Sequence, residues 1–204
     1  MLWRAAMLGA AILYGVSAAS GASPGDASKR AAQLAADMCS TCHRPADKPG
    51  EPLVPNLAGQ HQAYLVWQMR AYRLAFRDDP QAHDKMWTPA SGLEDAVVNA
   101  LAAYYAAQPP HPGTPGDAAL LARGKSLYET GLPSRNVADC SACHGAHAEG
   151  EGIFPRLAGQ RADYLVREIS LIQLHLRNVG IMHSTVEGLS QDDIKALAAY
   201  LQSL

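Results

Sequence analysis

The sequence contains two short stretches in which two cysteines are separated by two residues and a histidine follows the second cysteine. The residues concerned are Cys39, Cys42 and His43 in the first stretch and Cys140, Cys143 and His144 in the second. On one helical turn, residues i, i+3 and i+4 project from the same face. Two thiols can then form thioethers with the vinyl groups of one porphyrin while the imidazole binds its iron. The spacing predicts two covalently bound haem c groups, with His43 and His144 as iron ligands.

Three other uses of cysteine pairs remain open beside haem attachment. They are two local disulfides, a thioredoxin-like redox pair, and one zinc site shared by four thiolates. A redox pair would require a βαβ context, which the sequence pattern does not show. A structural zinc site does not require a histidine directly after each pair. Both stretches together use all four cysteines of the chain, which favours haem.

The two stretches belong to a longer internal duplication. The matching segments are residues 39–43 with 140–144, 57–60 with 157–160, 64–66 with 164–166, Met86 with Met182, and 100–104 with 196–200. The separation is 101 residues at the cysteines (140 − 39) and 100 at the next match (157 − 57), but 96 at the methionines (182 − 86). We call the first copy of the duplication half one and the second copy half two. Half one therefore has about four extra residues, which we place within residues 78–85. Such a duplication indicates two copies of one structural unit.

A methionine is expected as the second axial ligand of each iron, because a soft thioether favours the reduced ion and raises the reduction potential. After residue 22, the methionines of the chain are Met38, Met69, Met86 and Met182. Met38 adjoins the first cysteine and cannot reach the opposite haem face. Met69 corresponds to Ile169, which cannot bind iron, and is expected to pack in the core. Met86 and Met182, each six residues before a glycine, are predicted as the distal ligands, in a loop that leads to the last helix.

The remaining histidines are expected to be solvated or core side chains. His83, His175 and His183 could in principle provide bis-histidine ligation, but we expect no histidine at their counterparts in the repeat. His61 corresponds to Arg161. His111 lies in the linker and His147 lies in a loop.

A proximal imidazole usually donates its second N–H to a carbonyl, which fixes the orientation of the ring. Pro55 and Pro155 occupy matching positions before Leu-Ala-Gly-Gln, and their carbonyls are the predicted acceptors. The alternative is that these prolines only form a turn.

The predicted domain organisation follows the duplication. Residues 1–22 are predicted to be a signal peptide, 23–107 the N-terminal cytochrome c domain, 108–116 a linker, and 117–204 the C-terminal cytochrome c domain. The linker contains four prolines and two glycines, so it cannot continue a helix and is expected to be stiff and solvated. Domains of this size often rely on a cofactor, because their surface is large relative to their volume.

The N-terminus has the features of an export signal. Arg4 supplies positive charge, residues 5–16 are mostly apolar, and small residues follow, with cleavage expected after Ala19 or Ala22. An uncleaved membrane anchor is the alternative. Export places the chain in the periplasm. The net charge of −2 and the pI near 6.4 indicate no basic face, so no nucleic-acid partner is expected.

Three helical segments are predicted in each half. The first leads into the cysteines; it begins at Asp26 or Ser28 in half one and spans 117–130 in half two. The second has an apolar stripe at i, i+4, i+7 and i+11. The stripes are Leu65, Met69, Tyr72 and Phe76 in half one and Leu165, Ile169, Ile172 and Leu176 in half two.

The last helix is predicted to begin near Leu93 in half one and at Ser190 in half two, where Ser190 and Asp193 form a capping-box pattern. Its inward face in half two consists of Ile194, Leu197, Ala198 and Leu201. No segment shows the alternation of a strand. The predicted fold class is all-α.

These motifs, the repeated Tyr-Leu-Val and Leu-Ala-Ala-Tyr segments and the paired methionines together resemble the cytochrome c4 family. The resemblance covers nearly all of the chain after the signal. It implies two class I cytochrome c domains packed together, each with a His/Met haem, which pass electrons in the periplasm towards terminal oxidases. Half one departs from the family pattern because Arg44-Pro45 replaces the usual glycine and because of its extra residues.

The predicted function is single-electron transfer between respiratory-chain partners, without enzymatic activity of its own. Expected partners are a terminal oxidase, a membrane cytochrome complex or a dehydrogenase, and peripheral association with the membrane surface stays open. The alternative is the dihaem electron-accepting subunit of a periplasmic dehydrogenase complex. A haem peroxidase or gas sensor would require an open iron position, which the repeated methionines argue against.

Overall fold

The computed structural model describes residues 23–45, 50–77 and 79–204. The predicted signal peptide lies outside these residues. Within them the regular structure is helical, and β structure is limited to two isolated bridges, Leu132 with Val137 and Glu151 with Phe154. The all-α prediction is confirmed.

The helices of half one are α1 (Pro24–Asp37), α2 (Gln62–Arg73), α3 (Pro80–Ser91) and α4 (Asp95–Ala106). The helices of half two are α5 (Ala118–Thr130), α6 (Ser141–His144), α7 (Ala162–Gln173), α8 (Gly180–Val186) and α9 (Gln191–Gln202). In half one α1 packs against α4, and in half two α5 packs against α9, so each half closes its first helix onto its last.

Capping side chains decide where the first helix of each half begins. The Ser23 hydroxyl accepts from the Asp26 N–H at 3.2 Å, and Pro24 occupies the first helical position. Helix α1 therefore begins two residues before the nearer of the two predicted starts, Asp26 and Ser28, because proline at this position has no N–H to leave unbonded. In half two the Asp117 carboxylate accepts from the Leu120 N–H at 2.9 Å, and the prediction of 117–130 is correct to one residue.

The apolar stripes of the second helices end earlier than predicted. Phe76 and Leu176 lie beyond the ends of α2 and α7 and are 73% and 50% exposed. Ala75 and His175 adopt left-handed φ values of 55° and 56°, which stop the helical repeat one residue before each stripe position. The prediction of a four-residue stripe was wrong at its last member in both halves.

The segments that carry Met86 and Met182 are helices, α3 and α8, and not the predicted loops. Half one thus has one helix and half two has two helices, α6 and α8, besides the three predicted in each half. Helix α3 begins six residues before Met86, whereas α8 begins two residues before Met182. The four extra residues of half one therefore add about one helical turn at the start of α3.

The last helices differ in how well the sequence located them. Helix α4 begins at Asp95, two residues later than predicted, after the buried Leu93. Ser190 caps α9, and its hydroxyl and N–H exchange hydrogen bonds with Asp193 as the capping-box pattern predicted. The predicted inward face of α9 is buried.

Two separate hydrophobic clusters form the core, one in each half. The cluster of half one consists of Ala31, Ala35, Leu93, Val97, Val98 and Leu101. The cluster of half two is larger and includes Leu127, Tyr128, Ile172, Ile194 and Leu201. The fold is thus two tandem helical domains, each with its own core; the exact domain bounds stay a prediction.

Residues 107–117 form no helix and are largely exposed, as expected of the linker. The linker is nevertheless attached to half two, because the Thr114 N–H donates to the Gln202 carbonyl at 2.9 Å. In the described part of the chain, no helix combines the length and the apolar character needed to cross a membrane.

Helices α5 and α9 cross so closely at Gly124 that this position accepts no side chain. A Cβ there would overlap the Ala196 carbonyl oxygen and lie 2.6 Å from Cβ of Tyr200. We expect Gly124→Ala to destabilise the protein by about 1–3 kcal/mol, the usual cost of overpacking. Guanidinium chloride unfolding of the purified protein measures this loss. The control is Gly25→Ala in α1, where the nearest atom is Ser23 Oγ at 3.9 Å; an equal loss in both variants would contradict the prediction.

Candidate haem sites

Both cysteine motifs form a single helical turn. The His43 N–H donates to the Cys39 carbonyl at 2.8 Å, and the His144 N–H donates to the Cys140 carbonyl at 3.0 Å. These i to i+4 bonds place the two cysteines and the histidine of each motif on one face, as the spacing predicted. The first cysteine of each motif packs against the core of its own half, and the second is exposed.

The two imidazoles are held in the same way. Nδ1 of His43 lies 3.0 Å from the Pro55 carbonyl oxygen, and Nδ1 of His144 lies 3.0 Å from the Pro155 carbonyl oxygen. The predicted carbonyl acceptors are confirmed. Because a carbonyl only accepts, Nδ1 must carry the hydrogen, which leaves Nε2 with a free lone pair.

The environment favours the neutral form of both rings. Burial lowers the pKa of His43 and of His144 below the ordinary value for histidine. The His144 residue is 5% exposed, and its Nε2 is buried without a hydrogen-bond partner in the described residues. A buried lone pair without a partner costs free energy unless another group binds it. A haem iron is such a group, so the residues present fit a proximal haem ligand.

The first thiol of each pair does not have the lowered pKa of a reactive cysteine. Burial raises the pKa of Cys39, and it raises the pKa of Cys140 to about 11. Reactive thiols have a lowered pKa, because the thiolate is the nucleophile and the metal ligand. All four cysteines are free, and no three His, Cys, Asp or Glu side chains among the described residues come together as a metal site.

The methionines occupy distinct environments. Met69 packs against the core of half one, as expected for a space-filling side chain. Met86 and Met182 are partly buried on α3 and α8, and Met182 also packs against the core of half two. Met38 directly precedes the first motif and is 36% exposed. The assignment of Met86 and Met182 as ligands stays a prediction at this point.

The residue that follows Met86 and the residue that follows Met182 each attach the methionine's helix to the preceding segment of the chain. The Trp87 Nε1–H donates to the Arg77 carbonyl at 2.8 Å, and the His183 Nδ1–H donates to the Ile172 carbonyl at 2.8 Å. Both are nitrogen donors, so a side-chain hydrogen bond attaches each methionine helix to the preceding segment, although the two acceptor carbonyls are not at matching positions of the repeat.

A buried cluster of charged side chains joins the two halves. Arg77 Nη2 and Arg177 Nη1 lie 2.8 Å and 2.6 Å from the same oxygen of Glu168. Arg77 also contacts Asp79 at 3.0 Å and the Gln68 amide oxygen at 2.7 Å. These five residues are all buried. Since Asp79 also caps α3, the cluster fixes the start of the helix that carries Met86.

The sequence analysis missed this cluster, although the duplication contains its signal. Arg77 and Arg177 are 100 residues apart, as are Gln68 and Glu168, which is the separation of the matched segments around them. Arginine occupies this position in both copies, next to the apolar end of a helix. Such an arginine indicates a buried partner that compensates its charge. The difference between Gln68 and Glu168 places one carboxylate, not two, between the arginines.

Two helical cysteine turns, each with a neutral histidine fixed by a proline carbonyl, define a tandem c-type cytochrome. The cytochrome c family model matches the chain twice, at residues 28–107 and 121–204.

Individual relatives narrow the class further. Cytochrome c4 of Thiocapsa roseopersicina is 38% identical over 173 residues, which are 82% of this chain and 87% of the relative. The solved structure of Acidithiobacillus ferrooxidans cytochrome c4 is 35% identical, with a TM-score of 0.77, and the match covers 81% of this chain and 98% of that one. The chain belongs to the cytochrome c4 family, and its function is electron transfer through covalently bound haem.

A relative with a more specific name is also similar. The thiosulfate dehydrogenase electron acceptor of Stutzerimonas stutzeri strain A1501 is 32% identical over 186 residues, which are 85% of this chain and 82% of the relative.

Loss of the shared carboxylate should loosen the contact between the halves. We expect Glu168→Gln to destabilise the protein by about 3 kcal/mol or more, because two buried guanidinium groups lose their common counter-ion. The midpoint of guanidinium chloride unfolding measures this effect. Glu187→Gln, at an exposed position, is the matched control and should change stability by less than about 0.5 kcal/mol. A loss below about 1 kcal/mol in Glu168→Gln would show that the cluster is not needed.

Proposed function

We propose that the chain carries two haem c groups, one in each half, and moves single electrons between redox proteins of the periplasm. Cys39 and Cys42 attach the first haem, with His43 as its proximal ligand. Cys140, Cys143 and His144 serve the second haem in the same way. The observation that carries the proposal is the buried, unpartnered Nε2 of His144 on a ring whose Nδ1 is already bound.

Met86 and Met182 are the proposed distal ligands. They are the methionines that the duplication repeats, and both lie on a helix that a nitrogen donor fixes to the preceding segment. Haem iron, when bound, supplies one-electron exchange between its ferric and ferrous states. The chain holds each imidazole and each methionine helix by hydrogen bonds, so little of the protein has to move when the charge changes.

The proposed location follows from the N-terminus. The charged, apolar and small-residue regions of residues 1–22 support export through a signal peptide. An oxidising periplasm is also where covalent attachment through cysteine is stable. A terminal oxidase or a membrane cytochrome complex would accept the electrons.

A haem count tests the cofactor. Expressed in a host that attaches haem, the protein should show two haems per chain in a pyridine haemochrome assay, and the reduced protein should not bind carbon monoxide. Colourless protein with four free or bridged sulfurs would refute the proposal, and carbon monoxide binding by the unsubstituted protein would support an open site instead.

Methionine variants test the distal ligands. Met182→Ala should let carbon monoxide bind to about half of the reduced haem and lower one of two reduction potentials, because a soft ligand is lost. Met86→Ala should do the same at the other haem. Met69→Leu, which changes a core methionine, is the control and should leave both haems closed to carbon monoxide. Closed haems in either alanine variant would remove that methionine as a ligand.

The second candidate function is the electron-accepting subunit of a dehydrogenase. The similarity to the Stutzerimonas stutzeri electron acceptor favours it. Purification of the tagged chain from its native cells distinguishes the two candidates. A catalytic chain recovered at fixed stoichiometry would identify a subunit, whereas recovery of the cytochrome alone would support the free carrier.

A further inference from the structure

Two buried glutamines cross between the halves. The Gln60 side chain accepts from the Arg156 N–H at 2.8 Å and donates to the Arg156 carbonyl at 2.9 Å. The Gln160 side chain accepts from the Asn56 N–H at 2.9 Å and donates to the Asn56 carbonyl at 3.1 Å. Each glutamine is 6% exposed, and each amide oxygen also accepts the N–H of the next residue in its own half, so main-chain groups of both halves satisfy the two amides.

The main-chain group that Gln160 contacts is also the one that holds the half-one imidazole. The peptide group between Pro55 and Asn56 offers its carbonyl to His43 Nδ1–H and its N–H to Gln160 Oε1. One planar peptide thus connects the ring of one half to the side chain of the other.

Half two repeats the arrangement with the roles exchanged. The peptide group between Pro155 and Arg156 accepts the His144 Nδ1–H at 3.0 Å and donates its N–H to Gln60 Oε1 at 2.8 Å. The pattern of identical and different residues in the internal repeat agrees with hydrogen bonds that use only the main chain at positions 56 and 156. Residue 56 is asparagine and residue 156 is arginine, yet the flanking Pro and Leu-Ala-Gly-Gln are identical, because only the backbone of the variable residue makes these bonds.

Hydrogen bonds in such a chain strengthen one another. An acceptor on the peptide N–H polarises the peptide and makes its carbonyl a stronger acceptor. A stronger acceptor on Nδ1–H increases the electron donation of the imidazole through Nε2, which is how outer groups tune a bound metal. More donation stabilises the ferric state and lowers the reduction potential.

We propose that each half tunes the haem of the other half: Gln160 lowers the potential of the half-one haem, and Gln60 lowers that of the half-two haem. The inference rests on the proposed function, because it requires His43 and His144 to bind iron. The glutamines are positioning residues, since they act through a peptide group and do not touch the haem ligand itself.

The test is a crossed pattern of potentials. Gln160→Leu removes the acceptor from the Asn56 N–H and should shift the redox equilibrium of the half-one haem towards the ferrous state by about threefold, or about 28 mV at 59 mV per tenfold for one electron. Gln60→Leu should shift the half-two haem in the same direction. An NMR-monitored redox titration measures each haem separately, with its resonances assigned through contacts to residues of its own half.

A second measurement does not depend on the potentials. In the reduced, diamagnetic protein the Nδ1–H resonance of His43 should move upfield in Gln160→Leu, and that of His144 should move upfield in Gln60→Leu, because the hydrogen bond to the proline carbonyl weakens. Gln62→Leu is the control: it replaces an exposed glutamine of α2 and should leave both potentials and both resonances unchanged.

The possible outcomes distinguish failure of the proposed function from failure of the tuning proposal. If the unsubstituted protein lacks two haem transitions, the proposed function fails whatever the glutamines do. If two haems are present but both variants shift both haems alike, the glutamines only dock the halves, and the tuning proposal fails. Unchanged potentials and resonances in a dihaem protein would overturn it as well.

Discussion

The hydrogen bond from a histidine Nδ1–H to a proline carbonyl is the interaction on which the rest of this structure depends. It fixes the tautomer of His43 and His144, so that Nε2 keeps its lone pair, and it fixes the plane of each ring. It also uses the Pro55 and Pro155 carbonyls as acceptors. The peptide groups that contain these carbonyls donate their N–H to a glutamine of the opposite half. The candidate haem sites and part of the interface between the halves therefore share the same two peptide groups.

The interface adds a second constraint of electrostatic origin. Arg77 and Arg177 are buried, and an isolated guanidinium in a protein interior is costly. Glu168 compensates both at once, and its counterpart Gln68 offers an amide oxygen to Arg77 without a second negative charge. Separation of the halves would leave Arg77 with Asp79 but without the Glu168 carboxylate. Charge compensation thus contributes to the docking of the halves in addition to contact area.

The two halves reach similar geometry with different residues. Trp87 and His183 both donate to a carbonyl near the end of the preceding segment, although one is an indole and the other an imidazole. Half one lengthens α3 by about one turn and has the smaller apolar cluster. In half two, Asp193 contacts Arg123 and Arg135. Burial raises the pKa of that carboxyl, but the hydrogen bonds from Ser190, followed by those from the two arginines, outweigh burial and hold the pKa well below its usual range.

The sequence by itself determined the haem-attachment chemistry, the duplication and most helices, because cysteine spacing, capping residues and apolar periodicity act within one or two turns. It also located the proline carbonyls, since their positions repeat beside Leu-Ala-Gly-Gln. Only the tertiary structure decided that Met86 lies on a helix, that Ala75 ends α2 before Phe76, and that Gln60 and Glu168 cross the interface. These features depend on backbone conformations and on partners about 100 residues away in the chain, and local patterns do not specify such distant contacts.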